Sequence, residues 1–375
     1  MGGGAAEAGY EWWWWERWNS PKVPKMLTTI RTAFCCAAAN TVRKVPVVLQ
    51  RGAAGTMLVA GDSRWTAYLP DRFFGSAPRE TEMVGRYWMW EVPRVVRSLR
   101  GAADITVVRA DRMTGRMIPW MMGGGTSICV PEWVRMAAPV PSEGHRFASS
   151  QARRDISVIR RHGLGWRTSQ DERELAVFIE RDYWPYMRRR YGEAAHLRSR
   201  AWLRRRFANG GILWVERGGE PVAGVVFDVE KGRLRYLAVA CAGADERLLG
   251  IGAVSATYLF CFEKARMMGL RTLDMRNCRP CLGDGLHAAK RKWGGRLVRP
   301  DDLTHDWHVS WKPGNANAQR FLRESPLVCR DAGGYYTVTA GGDEGRELET
   351  GRCEAGEALE TDGVIRRPIE STRLE

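Results

Sequence analysis

The sequence predicts an α/β fold (α+β, with mixed sheets) in which a larger lobe follows a smaller α/β lobe. The clearest sign is a run of three strands, ILWVER, PVAGVVFDVE and RLRYLAVA, joined by short turns at Gly218 and Gly219 and at Lys231 and Gly232. Turns this tight make the three strands antiparallel. An apolar helix-like run that ends at Gly269 then leads to the strand-like RTLDMRN. Because a helical crossover joins parallel strands, the sheet is expected to be mixed.

The smaller lobe is predicted over residues 21–145. Strand-like pieces (VPVVLQ, TMLVAG, WTAYLP) precede the helix-like VPRVVRSLRGA and the strand-like ADITVVRA. Residues 119–150 are rich in Pro, Gly and Ser, and we interpret them as the connection to the larger lobe. A Trp-rich tail is expected over residues 1–20. Its four adjacent tryptophans, Trp12 to Trp15, could pack on the protein's own body, on a partner or at a membrane interface.

The larger lobe is predicted over residues 146–325, before an acidic, Gly-rich tail over residues 326–375. It begins with a basic helix (RRDISVIRRHG), a strand (GWRTS) and two helices (DERELAVFIERDYWPYMRRRYG and HLRSRAWLRRRFANGG). The three antiparallel strands, the turn RLLGIGA at residues 247–253, the apolar helix and the parallel strand follow. A short helix (DGLHAAKRKWG) and two closing strands (LVRPDDL and HDWHVSW) complete the predicted lobe.

Composition indicates a globular protein without a disulfide framework. Of the 375 residues 44% are hydrophobic, and no run of 18 consecutive apolar residues or signal-peptide pattern occurs, so a cytoplasmic protein is expected. The nine cysteines are expected to be reduced, and a lone CxxC (Cys278 and Cys281) is weak evidence for a zinc or redox site. His305 and His308, three residues apart in a strand, would lie on opposite faces. No metal is therefore predicted.

Positive charge is concentrated away from the C-terminus. The net charge is +15, and residues 341–375 hold 10 acidic and 5 basic residues, so the rest of the chain carries +20. Such a balance favours polyanionic or phosphate-bearing partners. Residues 151–210 hold 15 arginines against 7 acids, with triplets at Arg188 to Arg190 and Arg204 to Arg206. Two interpretations stay open here, namely solvated helix faces and a contact with RNA or an anionic surface.

The turn RLLGIGA has two interpretations, a cradle for phosphates and a plain loop between strand and helix. Gly250 and Gly252 let the backbone approach a ligand closely, and Arg247 and the free amides of the helix start would attract an anion. The preceding strand belongs to an antiparallel run, which excludes the dinucleotide fingerprint, and no GK[ST] follows, which excludes a P-loop. The position of the turn ahead of a buried crossover helix favours the cradle.

Residues 163 to about 312, with RLLGIGA in its place, resemble the GNAT superfamily of acyl-CoA-dependent N-acyltransferases in their order of elements. The passages GGILWVERGGEPVAG, RLRYLAVA and LHAAKRKWGG more closely resemble the FemAB-like branch. In that branch a helix such as RRDISVIRRHG precedes the catalytic lobe, and a Lys-x-x-Trp-Gly pattern, here Lys290 to Gly294, closes it. Members often carry two related lobes, which suggests that the smaller lobe is a degenerate relative of the larger one.

The resemblance implies a site between the strands RLRYLAVA and RTLDMRN, which would splay to admit an acyl chain or pantetheine arm. Acyl-CoA would be the cosubstrate, with its pyrophosphate on the amides of Leu248 to Ala253 and an oxyanion donor at Val239 or Ala240. Asn277 would bind a pantetheine amide or simply end its strand. The residues expected at the cofactor are Val239, Ala240, Arg247, Leu248, Leu249, Gly250, Ile251, Gly252, Ala253 and Asn277.

Five residues are candidates for catalysis: Asp228, Glu230, Tyr236, Tyr258 and Lys290. One of the first three would accept the proton of the attacking amine, Tyr258 would protonate the leaving thiolate, and Lys290 would neutralise a phosphate or an oxyanion. Each has a simpler alternative, because the acids could flank a turn, the tyrosines could be packed aromatics and Lys290 could be a surface lysine. His287, on the helical face of Lys290, is a further acid/base candidate or a structural histidine.

The leading functional hypothesis is an N-acyltransferase that transfers an acyl group from acyl-CoA to an amine acceptor by direct attack in a ternary complex. A FemAB-like aminoacyltransferase that uses aminoacyl-tRNA is the alternative, with the Arg-rich helices following the RNA backbone. A third hypothesis is a non-catalytic protein that binds an acidic polymer or a membrane surface. The sequence leaves the acyl length, the acceptor and the oligomeric state open.

Overall fold

A computed structural model describes residues 44–62, 66–111, 114–116, 118, 126–142, 147–192, 195, 197–298, 305–331, 334–340, 359–361 and 364–369. The chain divides into two compact units. Unit 1 comprises residues 1–132, 301–349 and 357–367, and unit 2 comprises residues 133–300, 350–356 and 368–375. Both contain helices and mixed sheets, which confirms the predicted fold class. Trp12 to Trp15 lie outside the described residues.

The strands are β1 Lys44–Gly52, β2 Gly55–Ala60, β3 Arg79–Trp88, β4 Ile105–Asp111, β5 Thr126–Pro131, β6 Val134–Pro139, β7 Leu164–Ser169, β8 Gly210–Arg217, β9 Glu220–Glu230, β10 Arg233–Cys241, β11 Thr272–Cys278, β12 Arg296–Val298, β13 His305–Trp311, β14 Leu327–Arg330, β15 Tyr335–Ala340, β16 Leu359–Thr361 and β17 Val364–Ile369. The helices are α1 Tyr68–Phe74, α2 Val92–Leu99, α3 Ser150–Arg161, α4 Glu172–Val177, α5 Trp184–Tyr191, α6 Arg200–Phe207, α7 Ala253–Met267, α8 Gly285–Lys292 and α9 Ala316–Glu324. A π-helical segment, Phe178–Tyr183, joins α4 to α5.

Unit 1 is built on a six-stranded sheet, sheet 1, with the strand order β3-β1-β2-β4-β13-β5. β2 and β4 are parallel, whereas β13 is antiparallel to both of its neighbours. One core cluster joins β1, β2 and β4 to α2 and includes Val47, Leu58, Val92, Val96 and Val108. The cluster explains the apolar alternation of these segments, since each strand turns one face toward the helix.

Unit 2 is built on a seven-stranded sheet, sheet 2, with the order β12-β6-β11-β10-β9-β8-β7. The hairpins form as expected, because both tight turns place two successive residues at positive φ (Gly218 +60° and Gly219 +87°; Lys231 +53° and Gly232 +69°). α4, the π-helical segment and α6 cover one face through a core cluster of Leu175, Phe178, Trp202, Trp214 and others. α7 lies on the opposite face, and its crossover makes β10 and β11 parallel.

Two strands lie elsewhere than the sequence predicts. The segment HDWHVSW is a strand, as expected, but as β13 it pairs in sheet 1 with β4 and β5 rather than closing the sheet of the larger lobe. Residues 134–139, interpreted as part of a connection, form β6 between β11 and β12 of sheet 2. The boundaries predicted near residues 145 and 325 therefore differ from the observed divisions near 132 and 300. Apolar alternation indicates a strand but does not identify its pairing partner.

Two local predictions are also wrong. WTAYLP, interpreted as a strand, leads into helix α1. Residues 326–375 are not all tail, since β14 and β15 form a hairpin in a four-stranded sheet, sheet 3, with the order β14-β15-β17-β16. The buried side chains of β14 and β15, such as Val328 and Val338, explain why this part of the chain is ordered.

Candidate functional site

The central parallel pair of sheet 2 separates after three residues. β10 and β11 pair at Arg233 with Thr272, Leu234 with Leu273 and Arg235 with Asp274, and the two described strands form no pair beyond that point. Residues 236–241 continue along β9, and residues 275–278 continue along β6. We name the gap between these two stretches the β10/β11 opening. It corresponds to the splay that the resemblance implies, and it leaves backbone groups along both stretches without a strand partner.

Backbone irregularities mark the point of separation on both strands. The register of β10 against β9 shifts between Tyr236 and Ala238, and that of β11 against β6 shifts between Asp274 and Arg276. Arg276 has a φ of +62°, an unfavourable conformation for a side chain of its size. A β-bulge bends its strand and increases the local twist. Two bulges, one on each strand, therefore account for the divergence.

Lys290 supports the bent end of β11. Its Nζ donates to the carbonyl oxygens of Asn277 at 2.6 Å and Arg276 at 3.1 Å, and the side chain is buried. These carbonyls lie past the point where β10 would have supplied partners. Burial lowers the pKa of Lys290 to about 8. Lys290 is thus buried and not a surface lysine, and its observed bonds support the bent end of β11. Its predicted contact with a phosphate or an oxyanion stays a prediction.

Buried charges cross the sheet at the base of the opening. Arg235 pairs with Asp228 on β9 and lies opposite Asp274 on β11, while Arg135 on β6 binds Asp274 from the far side. Glu230 also binds Arg235. Burial alone would raise the pKa of Asp274, but the hydrogen bond from Arg135 and the nearby arginine charges lower it. Asp228 and Glu230, predicted as candidate bases, are therefore both occupied as partners of Arg235.

The two candidate tyrosines lie together beside the opening, on the α7 side of the sheet. The rings of Tyr236 and Tyr258 stack with centroids 4.4 Å apart, and Tyr258 also stacks on Trp293 at 6.2 Å. The hydroxyl of Tyr236 is hydrogen-bonded to Thr257 Oγ1 at 2.8 Å. Burial raises the pKa of both phenols. Both are therefore protonated at neutral pH and can act as hydrogen-bond donors but not as bases.

The other predicted cofactor residues follow the opening. Val239 and Ala240 belong to the part of β10 that pairs with β9 alone, and Asn277 belongs to the bent end of β11. Successive amides of a strand point to opposite sides, so one of Val239 and Ala240 directs its N–H toward the opening. That position suits the oxyanion donor predicted from the sequence.

The turn RLLGIGA is closed by its own hydrogen bonds. The amides of Leu248, Gly250 and Gly252 donate to the carbonyls of Asp245, Arg247 and Leu249 at 3.0–3.2 Å. The side chain of Arg247 is 91% exposed and pairs with Asp245 at 2.8 Å. A phosphate bound by all the predicted amides, which include those of Leu249, Ile251 and Ala253, would need these bonds to open. Phosphate binding by the amides of this turn therefore stays a prediction.

Helix α3 approaches the start of α7 closely. Gly252, the residue before α7, has a φ of +82°, and a Cβ there would lie 3.3 Å from Ile159 of α3. Asp155 of α3 accepts a hydrogen bond from Ser255 Oγ at 2.6 Å and an ion pair from Lys292. The first turn of α7 thus already has a carboxylate beside it, in the place where a helix dipole favours an anion. This contact could not be predicted from the sequence, because Asp155 lies 100 residues from Ser255.

A shallow cavity of about 680 Å³ lies beside the turn. It is lined by Arg189, Ala242, Gly243, Asp245, Glu246 and Arg247. Arg189 donates to the carbonyl of Ala244 at 2.8 Å, and fully buried Asp182 accepts the amide of Gly243 at 2.7 Å. Asp182 comes from the π-helical segment, an irregularity often found at functional sites. Arg189 and Arg247 give this cavity two positive side chains, and Asp245 and Glu246 give it two negative ones.

The remaining candidates are buried or engaged. His287 is buried, and burial lowers its pKa to about 4, so its ring is neutral at pH 7. Cys278 and Cys281 are both buried. Several members of the two arginine triplets have partners within unit 2: Arg190 binds the Tyr186 hydroxyl, Arg204 pairs with Glu172, and Arg206 with Asp228. Such contacts favour the interpretation of these helices as ordinary protein surface.

None of the known protein families matches the chain, and no curated protein matches it either. Among the described helices, none has the length and apolar character needed to span a bilayer.

Solved structures give weak matches that agree with the resemblance. FemX is 11% identical, with 73% of this chain and 90% of that chain covered at a TM-score of 0.36. L-PGS from Bacillus licheniformis is 12% identical (71% and 80% covered, TM-score 0.33). A GCN5-related N-acetyltransferase from Sphaerobacter thermophilus is 11% identical (69% and 74% covered, TM-score 0.29). Similarities this low carry no activity over to this chain.

Proposed function

We propose that the protein is an acyltransferase that transfers an acyl group to an amine at the β10/β11 opening. The observation that carries the proposal is the separation of two parallel strands after three paired residues, with a bulge on each strand. An extended amide-containing arm can hydrogen-bond to the backbone groups that this separation leaves unpaired, as an added strand would. The acyl carbonyl would then lie near Val239 and Ala240.

Acyl-CoA is the donor that fits this arrangement best. Its pantetheine arm carries two amides for the strand edges, and Asn277 adds a polar side chain at the β11 edge. Its phosphates would lie at Arg247 and Arg189, which line the neighbouring cavity. In this placement the exposed side chains of Arg189 and Arg247, and not the amides of the closed turn, are the main phosphate contacts.

The reaction would be a direct transfer. The neutral amine attacks the thioester carbon, the C–N bond forms, and the C–S bond breaks as the tetrahedral intermediate collapses. One backbone N–H of Val239 or Ala240 would stabilise the oxyanion. Tyr258, a buried phenol that stays protonated, would donate a hydrogen bond to the leaving sulfur, and the proton that the sulfur takes up would come from the amine through water. The amine proton would leave through water, because Asp228 and Glu230 are bound to Arg235.

Aminoacyl-tRNA is the second candidate donor, and one observation favours it. The start of α7 already carries the carboxylate of Asp155, and the amides of the turn are bonded internally, so the usual helix-terminus site for a pyrophosphate is filled. An aminoacyl ester would place its carbonyl in the same opening without needing that site. The basic surface of residues 151–210 would contact the RNA backbone.

Binding measurements on the full chain separate these donors. We expect acetyl-CoA to raise the unfolding temperature in a saturable manner, and Arg247→Ala and Arg189→Ala each to weaken binding by about two- to fivefold, as for an exposed ion pair. Arg217→Ala, an exposed arginine at the end of β8, is the matched control and should change nothing. Acetyl-CoA binding that ignores both cavity arginines would contradict the phosphate placement.

Two other results would redirect the proposal. Binding of aminoacyl-tRNA that falls steeply with salt, without any response to acetyl-CoA, would favour the second donor. A chain that binds neither donor, but binds an acidic polymer, would favour the non-catalytic alternative. Transfer of radiolabelled acetyl groups to a panel of amines then tests the reaction itself.

A further inference from the structure

Three polar side chains lie on one strand in the middle of sheet 1. β13 pairs with β4 on one side and β5 on the other, and its residues are buried on both faces of the sheet except for a partly exposed His305. Asp306, His308 and Ser310 alternate along β13 and therefore share one face. A central strand that is buried on both faces is normally apolar. The polar face of β13 therefore needs an explanation.

Cys129 joins this face from the neighbouring strand. It lies directly opposite His308 in the register of β5 and β13. The Sγ of Cys129, a carboxylate oxygen of Asp306 and a ring nitrogen of His308 all lie within 4.8 Å of one another. Directly opposed residues of an antiparallel pair have Cβ atoms about 4.5–5.5 Å apart, so this convergence follows from the register itself.

The cluster contains buried polar atoms that lack hydrogen bonds. Asp306 is 3% exposed and His308 7%, yet Oδ1 of Asp306 and Nε2 of His308 have no hydrogen-bond partner among the described residues. The other oxygen of Asp306, Oδ2, is bound by Arg330 of β14. A buried polar atom without a partner destabilises the folded protein, so such atoms are rarely left unpaired. Arg330 fixes the carboxylate by one oxygen and leaves the second oxygen available to a further ligand.

We propose that Cys129, Asp306 and His308 bind a divalent transition metal ion of the zinc type. Thiolate, imidazole and carboxylate are the three kinds of ligand that zinc takes in proteins, whereas calcium and magnesium prefer oxygen alone. Tetrahedral zinc with bonds of about 2.0–2.3 Å places its ligand atoms about 3.6 Å apart. Since the three atoms lie within 4.8 Å of one another, they need to close by at most about 1 Å to bind the ion.

The Cys129 thiolate and the Asp306 carboxylate would offset the two charges of Zn²⁺, and the thiol proton would leave to solvent as the metal binds. Arg330, which pairs with Asp306, would keep its own positive charge beside the metal. Arg330 would hold the outer carboxylate oxygen and orient the ligand. The site belongs to unit 1 and does not depend on the acyl-transfer proposal for unit 2.

Spacing explains why the sequence did not predict this site. The pair weighed there was His305 and His308, which a strand separates to opposite faces. The proposed ligands are instead Asp306 and His308, two residues apart, and Cys129, which lies 179 positions before His308 in the chain. Only the pairing of β13 with β5 brings Cys129 to them.

Cobalt(II) titration of the full chain tests the proposal directly. After treatment with a chelator, the protein should bind one Co²⁺ with a sulfur-to-cobalt charge-transfer band in the near ultraviolet, and Zn²⁺ should displace it. Cys129→Ser should abolish the band, and Asp306→Asn and His308→Ala should each weaken binding at least tenfold. His305→Ala, three residues away on the opposite face, is the matched control and should keep the band. Replacement of Cys35 and Cys36 by serine should also keep it.

A second measurement avoids variants that fail to fold. Zn²⁺ should slow the alkylation of Cys129 by iodoacetamide in the unmodified chain, as read by mass spectrometry of the peptide that contains it. A charge-transfer band that survives in Cys129→Ser, or an alkylation rate at Cys129 that Zn²⁺ leaves unchanged, would overturn the proposal.

Discussion

In the described residues of each unit, a hairpin strand forms a parallel junction with the strand that follows a crossover, and the two junctions differ in how far they pair. In unit 1, β2 pairs with β4 from Met57 through Ala60, to the very end of β2, and the register is regular. In unit 2, β10 leaves β11 after Arg235, and both strands are bulged. Aliphatic and small residues line the first junction, whereas Arg235 and Asp274 face each other at the second.

The difference shows what an opening in a sheet requires. A regular parallel pair is held by its own ladder of hydrogen bonds, so it needs no further support. Where the ladder stops, other groups must hydrogen-bond to the unpaired backbone N–H and C=O groups and hold the strands in position. In unit 2 these are the ion pairs of Asp274 and the Nζ of Lys290. The comparison also supports placing the proposed reaction in unit 2 rather than unit 1.

The largest effect should come from Asp274→Ala. Asp274 is fully buried and receives Arg135 and the amide of Arg276, so its removal leaves buried positive charge uncompensated. We expect a loss of about 3–5 kcal/mol in the free energy of unfolding, measured by urea denaturation. Thr106→Val at the junction of unit 1 is the control and should cost less than about 1 kcal/mol. Equal losses at the two junctions would contradict the comparison.

A smaller, pH-dependent effect is expected for Lys290→Met. The pKa of Lys290 is lowered from its ordinary value of 10.5 to about 8 in the folded protein. Between pH 8 and pH 10.5 the unfolded chain therefore binds more protons at this side chain than the folded chain does. Stability from this group is therefore low below pH 8 and rises with pH, by about 3 kcal/mol across the full window. The difference in stability between the unmodified chain and Lys290→Met should thus grow between pH 7.5 and pH 9.5.

Lys264→Met is the control for that experiment. Lys264 lies in the last turn of α7, where it is partly exposed, and its substitution should shift stability by the same amount at both pH values. A pH-independent difference for Lys290→Met would mean that its amine is not held as the structure shows.

The smallest effects concern the two glycines of RLLGIGA. Gly252→Ala should cost about 1–2 kcal/mol, because φ is +82° and the new methyl group would meet Ile159. Gly250 has a φ of −63°, and a Cβ there would approach nothing closer than 3.4 Å, so Gly250→Ala should be neutral or slightly stabilising. Thermal unfolding of the pair measures the difference. Similar losses for both would indicate that the turn is shaped by a ligand rather than by α3.

The sequence predicted what is local. Hairpin turns and helix caps depend on neighbouring residues, such as Gly218 and Gly219 in a turn and Ser149 and Asp284 at helix starts. The positions of β8 to β10, α3 and α8 along the chain could therefore be predicted. Long-range pairing could not. β13 and β6 alternate like any strand, and nothing in their residues states which sheet they enter.

The same limit applies to the candidate site. The resemblance implied the opening, and Tyr236, Tyr258, Val239, Ala240 and Asn277 lie along or beside it. The roles of the charged candidates could not be predicted, because they depend on partners far away in the chain. Asp228 was a candidate base, but in the structure it pairs with Arg235. Lys290 was a candidate phosphate ligand, and in the structure it binds carbonyl oxygens of β11.

The position of β13 also sets the order in which the chain can fold as it is made. Unit 1 cannot complete its sheet when residue 132 leaves the ribosome, since the strand between β4 and β5 is encoded from residue 305 onward. At about 5–20 residues per second, the wait is on the order of ten to thirty seconds. During it β4 presents an unpaired edge, and the last strand of sheet 2, β12, has been made by residue 298, before β13 begins. The second half of this protein is therefore expected to mature before the first, with the newborn β4 edge as the point at which aggregation during synthesis would begin.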